Sequence, residues 1–210
     1  HIGFDEMHFI DYFDQTKILR EYITDQELYD KIIKRYENRK NNEKLFFMGI
    51  TMQNHGGYTE TYDNFPENYY KVGRSYTDAN QYLSLVHESD EAVKNLISYF
   101  SKVDDPVEII FFGDHQPSLN SNFYPILNGK GLTGLTEDEL EKLYTVPFFI
   151  WTNYDTPEET VDITSLDYLS TMALERAGIE LPAYNKFLAD MQEVVPAINS
   201  RGYYSKSKGC

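Results

Sequence analysis

Asp114 and His115 stand side by side in Phe112-Gly113-Asp114-His115-Gln116, directly after the apolar run Val107 to Phe112. A carboxylate oxygen next to an imidazole nitrogen is a donor pair for a divalent metal, suited to zinc or manganese better than calcium. Adjacent side chains on a strand point to opposite faces, so these two serve one site only if the chain leaves the strand there. Gly113 lacks a Cβ and permits such a bend. Two donors do not complete a coordination sphere, and one or two more must come from elsewhere. The plain alternative is an aspartate capping the next turn and a histidine bonded to backbone.

His55 lies in Gln53-Asn54-His55-Gly56-Gly57, after a second apolar run, Leu45 to Thr51. The glycines let a ligand approach the backbone closely. An imidazole there could hold a phosphate oxygen or protonate a leaving group; a loop histidine in water is the simpler reading. His87 sits among helix-forming residues and reads as structural. Thr51 and Ser118 carry hydroxyls without an adjacent base. No glycine-rich phosphate loop, Gly-x-Ser-x-Gly elbow or His-Glu-x-x-His pair occurs.

The elements that must position these residues follow from periodicity. Leu45–Thr51, Val107–Phe112 and Val146–Trp151 are continuous apolar runs. Such runs predict strands covered on both faces, as in a parallel sheet. Helices are predicted over about 25–39 with Thr24 as N-cap, over 79–101, from Thr136 to Leu143 with a capping box, and over 164–177 with Gly178 as C-cap. The expected fold is α/β, a mainly parallel sheet flanked by helices. Parallel strands would bring His55 and Asp114-His115 to one sheet edge, where open α/β folds bind ligands. The tyrosine- and asparagine-rich stretch Tyr58–Tyr70 reads as a long surface loop over that edge.

The 210 residues carry 34 acidic and 19 basic side chains, a net charge of −15. That balance repels a phosphate backbone and anionic lipid, so no nucleic-acid partner is expected. With 41% hydrophobic residues the chain can build a sizeable core. The one cysteine, Cys210, allows no internal disulfide, and no run is long and apolar enough to cross a bilayer.

Taken together, Asn54-His55 after an apolar run, the helix Tyr82 to Ala92, and Ile109 to His115 resemble the sulfatase branch of the alkaline phosphatase superfamily. Within it the likeness is to the lipoteichoic acid synthase and phosphoglycerol transferase family. Gly3-Phe4-Asp5, Val146 to Trp151 and the Thr164–Gly178 helix add to it, so the likeness runs from about Gly3 to Leu188.

The resemblance implies an alkaline-phosphatase-like fold and one divalent ion, manganese first, with magnesium or zinc as alternatives. Asp114 and His115 would be two of its ligands, and His55 would contact the phosphoglycerol group. The family's glutamate ligand and threonine nucleophile lie upstream of the segment matched by Gly3-Phe4-Asp5. The resemblance thus implies that residues 1–210 form the C-terminal part of a single sulfatase-like catalytic domain, inactive alone. Its parent would act at the extracellular face of the bacterial cell membrane, anchored by upstream segments. Its substrate would be a phosphoglycerol lipid head group or a related phosphodiester or sulfate ester.

Two other readings stand beside this one. A two-metal phosphoesterase also uses a Gly-Asp-His element, but needs an Asp-x-His near its first strand, and Asp5-Glu6-Met7-His8 has the wrong spacing. A glycan-binding module is suggested by the 18 tyrosines.

Overall fold

The computed structural model describes residues 3–65, 76–199 and 202–206. His1, Cys210 and the end of the tyrosine-rich stretch, 66–70, lie outside the described residues. The chain divides into two compact units. One comprises His1–Lys102 and Asp114–Val146; the other comprises Val103–Gly113 and Pro147–Cys210.

The first unit begins with a tight hairpin, β1 (Ile18–Leu19) and β2 (Tyr22–Ile23), with Leu19 opposite Tyr22. Arg20 and Glu21 form its two-residue turn, and Arg20 takes φ +55°. Such turns need positive φ to match strand twist, a place glycine or asparagine normally fills. Helix α1 (Asp25–Glu37) follows, capped by Thr24, whose hydroxyl accepts from the Glu27 amide at 3.2 Å. Helix α2 (Thr77–Phe100) packs on α1. The Tyr36 ring meets Phe100 edge-on at 5.1 Å, and Asn95 donates to Gln26 at 2.8 Å.

Tyr58, Phe65 and Leu85 form a buried cluster, with Leu19, Tyr62, Tyr82 and Leu119 packed against it. The predicted surface loop over 58–70 is therefore corrected at its start. Two of its aromatics are core residues, because each buries a large apolar ring where the loop crosses α2. The unit also holds two short helices, α3 (Tyr124–Asn128) and α4 (Glu137–Glu141); α4 carries the predicted Thr136–Glu139 capping box.

In the second unit, β3 (Glu108–Phe112) and β4 (Phe148–Thr152) pair in register from Glu108 opposite Thr152 to Phe112 opposite Phe148. Phe111 stacks on Phe149 across the ladder at 5.4 Å. The Asn153 side chain closes one end, accepting from the Val107 amide and donating to the Val103 and Asp105 carbonyls. Helix α5 (Leu166–Arg176) ends in a Schellman turn: Gly178, at φ +66°, donates to Glu175 and Ile179 donates to Leu174. It packs on α6 (Ala183–Val194), and Tyr168 of α5 and Leu188 of α6 are buried. Two short strands, β5 (Ala197–Ile198) and β6 (Tyr203–Tyr204), form a hairpin.

Helices and strands combine as expected for an α/β chain. Strand direction differs: every pairing among the described residues is antiparallel. Continuous hydrophobicity does not fix strand direction, and the expected cover on both faces is not found either, since β3 and β4 are only half-buried. The third predicted strand, 45–51, has no regular secondary structure and belongs to no ladder among the described residues. Phe46 is 77% exposed and Ile50 71%. One side of this run does meet α1: a Cβ on Gly49 would come within 2.9 Å of Leu28. Among the described residues no helix is long and apolar enough to cross a membrane.

Candidate functional site

His55 sits on a loop that the first unit holds from beneath. The guanidinium of Arg20, only 4% exposed, donates to three carbonyls of that loop. The distances are 2.9 Å to Gln53, 2.7 Å to His55 and 3.1 Å to Gly57. A fourth bond, 3.1 Å to Gln81 Oε1, ties the group to α2. The rings of Tyr22, Tyr58 and Tyr62 surround it, with centroids 5.5–5.9 Å from Cζ. A planar fork with five donors fits such divergent acceptors, which a lysine could not serve together.

A second buried network fixes the start of the loop. Gln53 accepts from the Asp25 amide at 3.1 Å and donates to Ser89 at 3.2 Å. Asn54 also donates to Ser89, and Ser89 donates to Asp25 Oδ2 at 2.5 Å. Burial pushes the Asp25 carboxyl up to about 6, against the lowering effect of the bonds from Ser89 and the backbone. Its other oxygen, Oδ1, is buried with no hydrogen-bond partner among the described residues. Tyr58 donates to the Asn54 carbonyl at 2.8 Å. On this base the His55 ring is exposed, with Nδ1 3.2 Å from the Tyr22 hydroxyl. No described group engages Nε2.

Asp114 and His115 are held differently. Their side chains are 85% and 72% exposed. The His115 amide donates to Asp114 Oδ1 at 2.9 Å, and Nδ1 donates to the Gln116 carbonyl at the same distance. A carbonyl can only accept, so Nδ1 carries the hydrogen and a neutral ring keeps its lone pair on Nε2. That atom faces Asp114 Oδ2 at 3.5 Å. Two lone-pair atoms turned toward each other repel unless a proton or a cation lies near both. Gln116 is itself anchored by donating to the Thr145 carbonyl.

The bend that turns these side chains together does not use the left-handed region. Gly113 is absent from the positive-φ residues, and its amide extends the ladder by one bond to the Pro147 carbonyl at 3.3 Å. Nor does a shared ladder bring His55 to the pair, since 45–51 pairs with nothing described. The two regions belong to one compact unit instead, and the Asp114 charge acts on Tyr58. The Tyr58 phenol is raised to about 12, chiefly by burial, with Tyr82, Tyr22 and Asp114 adding to it and Arg20 opposing.

The donor set fits part of a divalent-metal site. Asp114 offers oxygen, His115 offers nitrogen, and the second ring nitrogen is tied to backbone, as metal-ligating histidines commonly are. Among the described residues no group of three His, Cys, Asp or Glu side chains converges. The pair alone is too few ligands for a closed site. Sequence reasoning singled out Asp114, His115 and His55 as candidates and gave no weight to Arg20, Asp25, Gln53 and Ser89. The one signal for Arg20 was an arginine in a two-residue turn between apolar residues, and turn length is not visible before pairing is known.

The sequence as a whole belongs to a recognised class. The sulfatase family model matches residues 2–179, and the chain belongs to the sulfatase family, within the alkaline phosphatase superfamily. Two Rhizobium meliloti proteins are similar in sequence. One, named for cyclic β-1,2-glucan modification, is 27% identical over 180 residues, covering 82% of this chain and 28% of that protein. The other, capsular polysaccharide biosynthesis protein RkpI, is 33% identical over 122 residues, covering 57% and 21%. Among solved structures the chain is similar to the Streptococcus pyogenes phosphoglycerol transferase GacH in complex with sn-glycerol-1-phosphate. The TM-score is 0.63 at 20% identity, over 87% of this chain and 45% of that one. At that identity the likeness speaks to fold, which is the alkaline-phosphatase-like α/β fold. The chain spans less than a third of the length of its two curated relatives and under half of the solved one.

Proposed function

We propose that this chain supplies part of the active site of a metal-dependent transferase that moves phosphoglycerol, or a related phosphodiester group, onto a glycan. The observation that carries it is the convergence of His115 Nε2 and Asp114 Oδ2, with Nδ1 tied to the Gln116 carbonyl. The neighbour's glycerol phosphate ligand supports the donor group, and the glycan names of the two relatives support the acceptor.

In this reading Asp114 and His115 hold one divalent cation, manganese first and magnesium or zinc otherwise. When bound, the cation supplies polarisation of phosphoryl oxygens. His55 offers Nε2, the nitrogen Tyr22 leaves open, to a phosphate oxygen or a leaving group. The remaining ligand and the nucleophile come from residues other than those described, so the isolated chain is inactive and binds the cation weakly. The parent protein works on the outer face of the bacterial cell membrane, where glycan and lipid donors meet.

Paramagnetic broadening tests this without an activity assay. Mn²⁺ titrated into the isotope-labelled chain is expected to broaden Asp114 and His115 signals first. Broadening spread over the acidic surface that spares this pair sinks the reading. Tight stoichiometric binding in calorimetry would show that the site is already complete.

A further inference from the structure

Arg20 is a buried cation with no carboxylate in ion-pair distance among the described residues. Structural arginines of that kind are costly unless their donors are used well, and here the bonds come from the two terminal nitrogens while Nε is buried with no hydrogen-bond partner among the described residues. Arg20 also adopts φ +55°, a conformation an arginine side chain does nothing to favour. Two unfavourable features at one residue call for a compensating gain, and the gain is visible. Three of its four bonds end on the carbonyls of Gln53, His55 and Gly57, and the fourth reaches Gln81 on α2. Gln81, fully buried, is fixed in turn by its bond to the Glu60 carbonyl at 2.8 Å.

We infer that Arg20 is a positioning residue that sets the backbone of the His55 loop and thereby the direction of the imidazole. The hairpin's other end contributes as well. Tyr22, two residues along, holds the ring at 5.7 Å between centroids and contacts Nδ1. One short hairpin therefore grips the loop through Arg20 and the ring through Tyr22. Its tight turn makes the two grips move together, which is a reason for an arginine to occupy a glycine-like turn position. The inference rests on the proposed role of His55 for its functional meaning, but the clamp itself does not depend on that role.

The test uses the full chain in solution. In the unaltered protein the Arg20 side-chain N–H signals are expected to exchange slowly and the His55 ring to show a nuclear Overhauser contact with Tyr22. Arg20→Lys keeps the charge but cannot reach three carbonyls at once. It is expected to lose that contact and move the His55 ring signals to free-histidine positions, while the Gly178 and Leu188 amides in the other unit stay unchanged. Retention of the contact in a folded Arg20→Lys protein overturns the inference. Fast exchange of the Arg20 N–H groups in the unaltered chain overturns it even if the variant does not fold. The role of His55 fails separately: with Mn²⁺ present, sn-glycerol-1-phosphate that leaves the His55 signals of the unaltered chain unmoved removes the substrate reading and leaves the clamp standing.

Discussion

The loop that carries His55 and the turn that carries Asp114 and His115 lie in one compact unit, yet they are built on opposite principles. Beneath His55 runs a buried lattice of Arg20, Gln81, Gln53, Ser89 and Asp25, so the loop is set before any ligand arrives. Asp114 and His115 depend on bonds within three consecutive residues and stand mostly in solvent. Under the proposed function, a group that orients a substrate would gain from a rigid backbone beneath it. A pair that closes around a cation with ligands from elsewhere would gain from freedom to adjust, because the cation would complete the geometry. The contrast teaches that local order in a site can be divided between folding and ligand binding.

The sharpest way to break this comparison is to remove the clamp. Arg20→Ala leaves buried carbonyls without donors and is expected to lower the unfolding free energy by about 3–4 kcal/mol. Urea denaturation of the full chain checks this; a loss under about 1 kcal/mol would place the loop on the same footing as the Asp114 turn.

Asp25 comes next. Its carboxyl takes up a proton at about 6 in the folded chain against an ordinary value of 3.8. Between those values the folded state binds more protons than the unfolded one, so stability falls as pH rises through this window. Above it, ionised Asp25 costs about 2–3 kcal/mol. Asp25→Asn should flatten that part of the stability–pH curve and be the more stable protein at neutral pH. Denaturation midpoints across the window read this directly, and an unchanged slope would remove Asp25 from the account.

A smaller effect is expected at Gly57, where φ is +93° and a Cβ would meet nothing within 4 Å. Gly57→Ala should therefore lose about 1–2 kcal/mol from backbone strain alone. The smallest effect belongs to the open turn. Asp114→Ala and His115→Ala should leave thermal stability within about 0.5 kcal/mol of the unaltered chain while abolishing Mn²⁺ broadening at that turn. A large stability loss there would mean that the pair is structural after all.

Local chemistry was legible before any coordinates. Thr24 caps α1, Thr136 and Glu139 form their capping box, and Gly178 ends α5 in the left-handed conformation. Each of these uses atoms within six residues of one another, so spacing alone carries the information. The adjacency of Asp114 and His115 was legible for the same reason. The run 45–51 was not. It has the composition of the β3 and β4 segments, but a strand is a relation to a neighbour, and composition does not say whether a neighbour is there. The burial of Tyr58 and Phe65 in a polar-looking stretch escaped notice because two aromatics without periodicity give no pattern.

The amino-acid order by itself determined the caps of α1, α4 and α5, which donors sit side by side after β3, and that the chain has an apolar core to form, while α3 and α6 went unpredicted. Tertiary structure alone decided that β3 and β4 run antiparallel, that 45–51 stays outside the described ladders, and that Arg20 lies under the His55 loop. The physical reason is range. Caps and neighbouring donors are settled by bonds spanning a few residues. Arg20 reaches acceptors 33 to 61 positions away, and contacts at that separation exist only after the hairpin, the loop and α2 have come together.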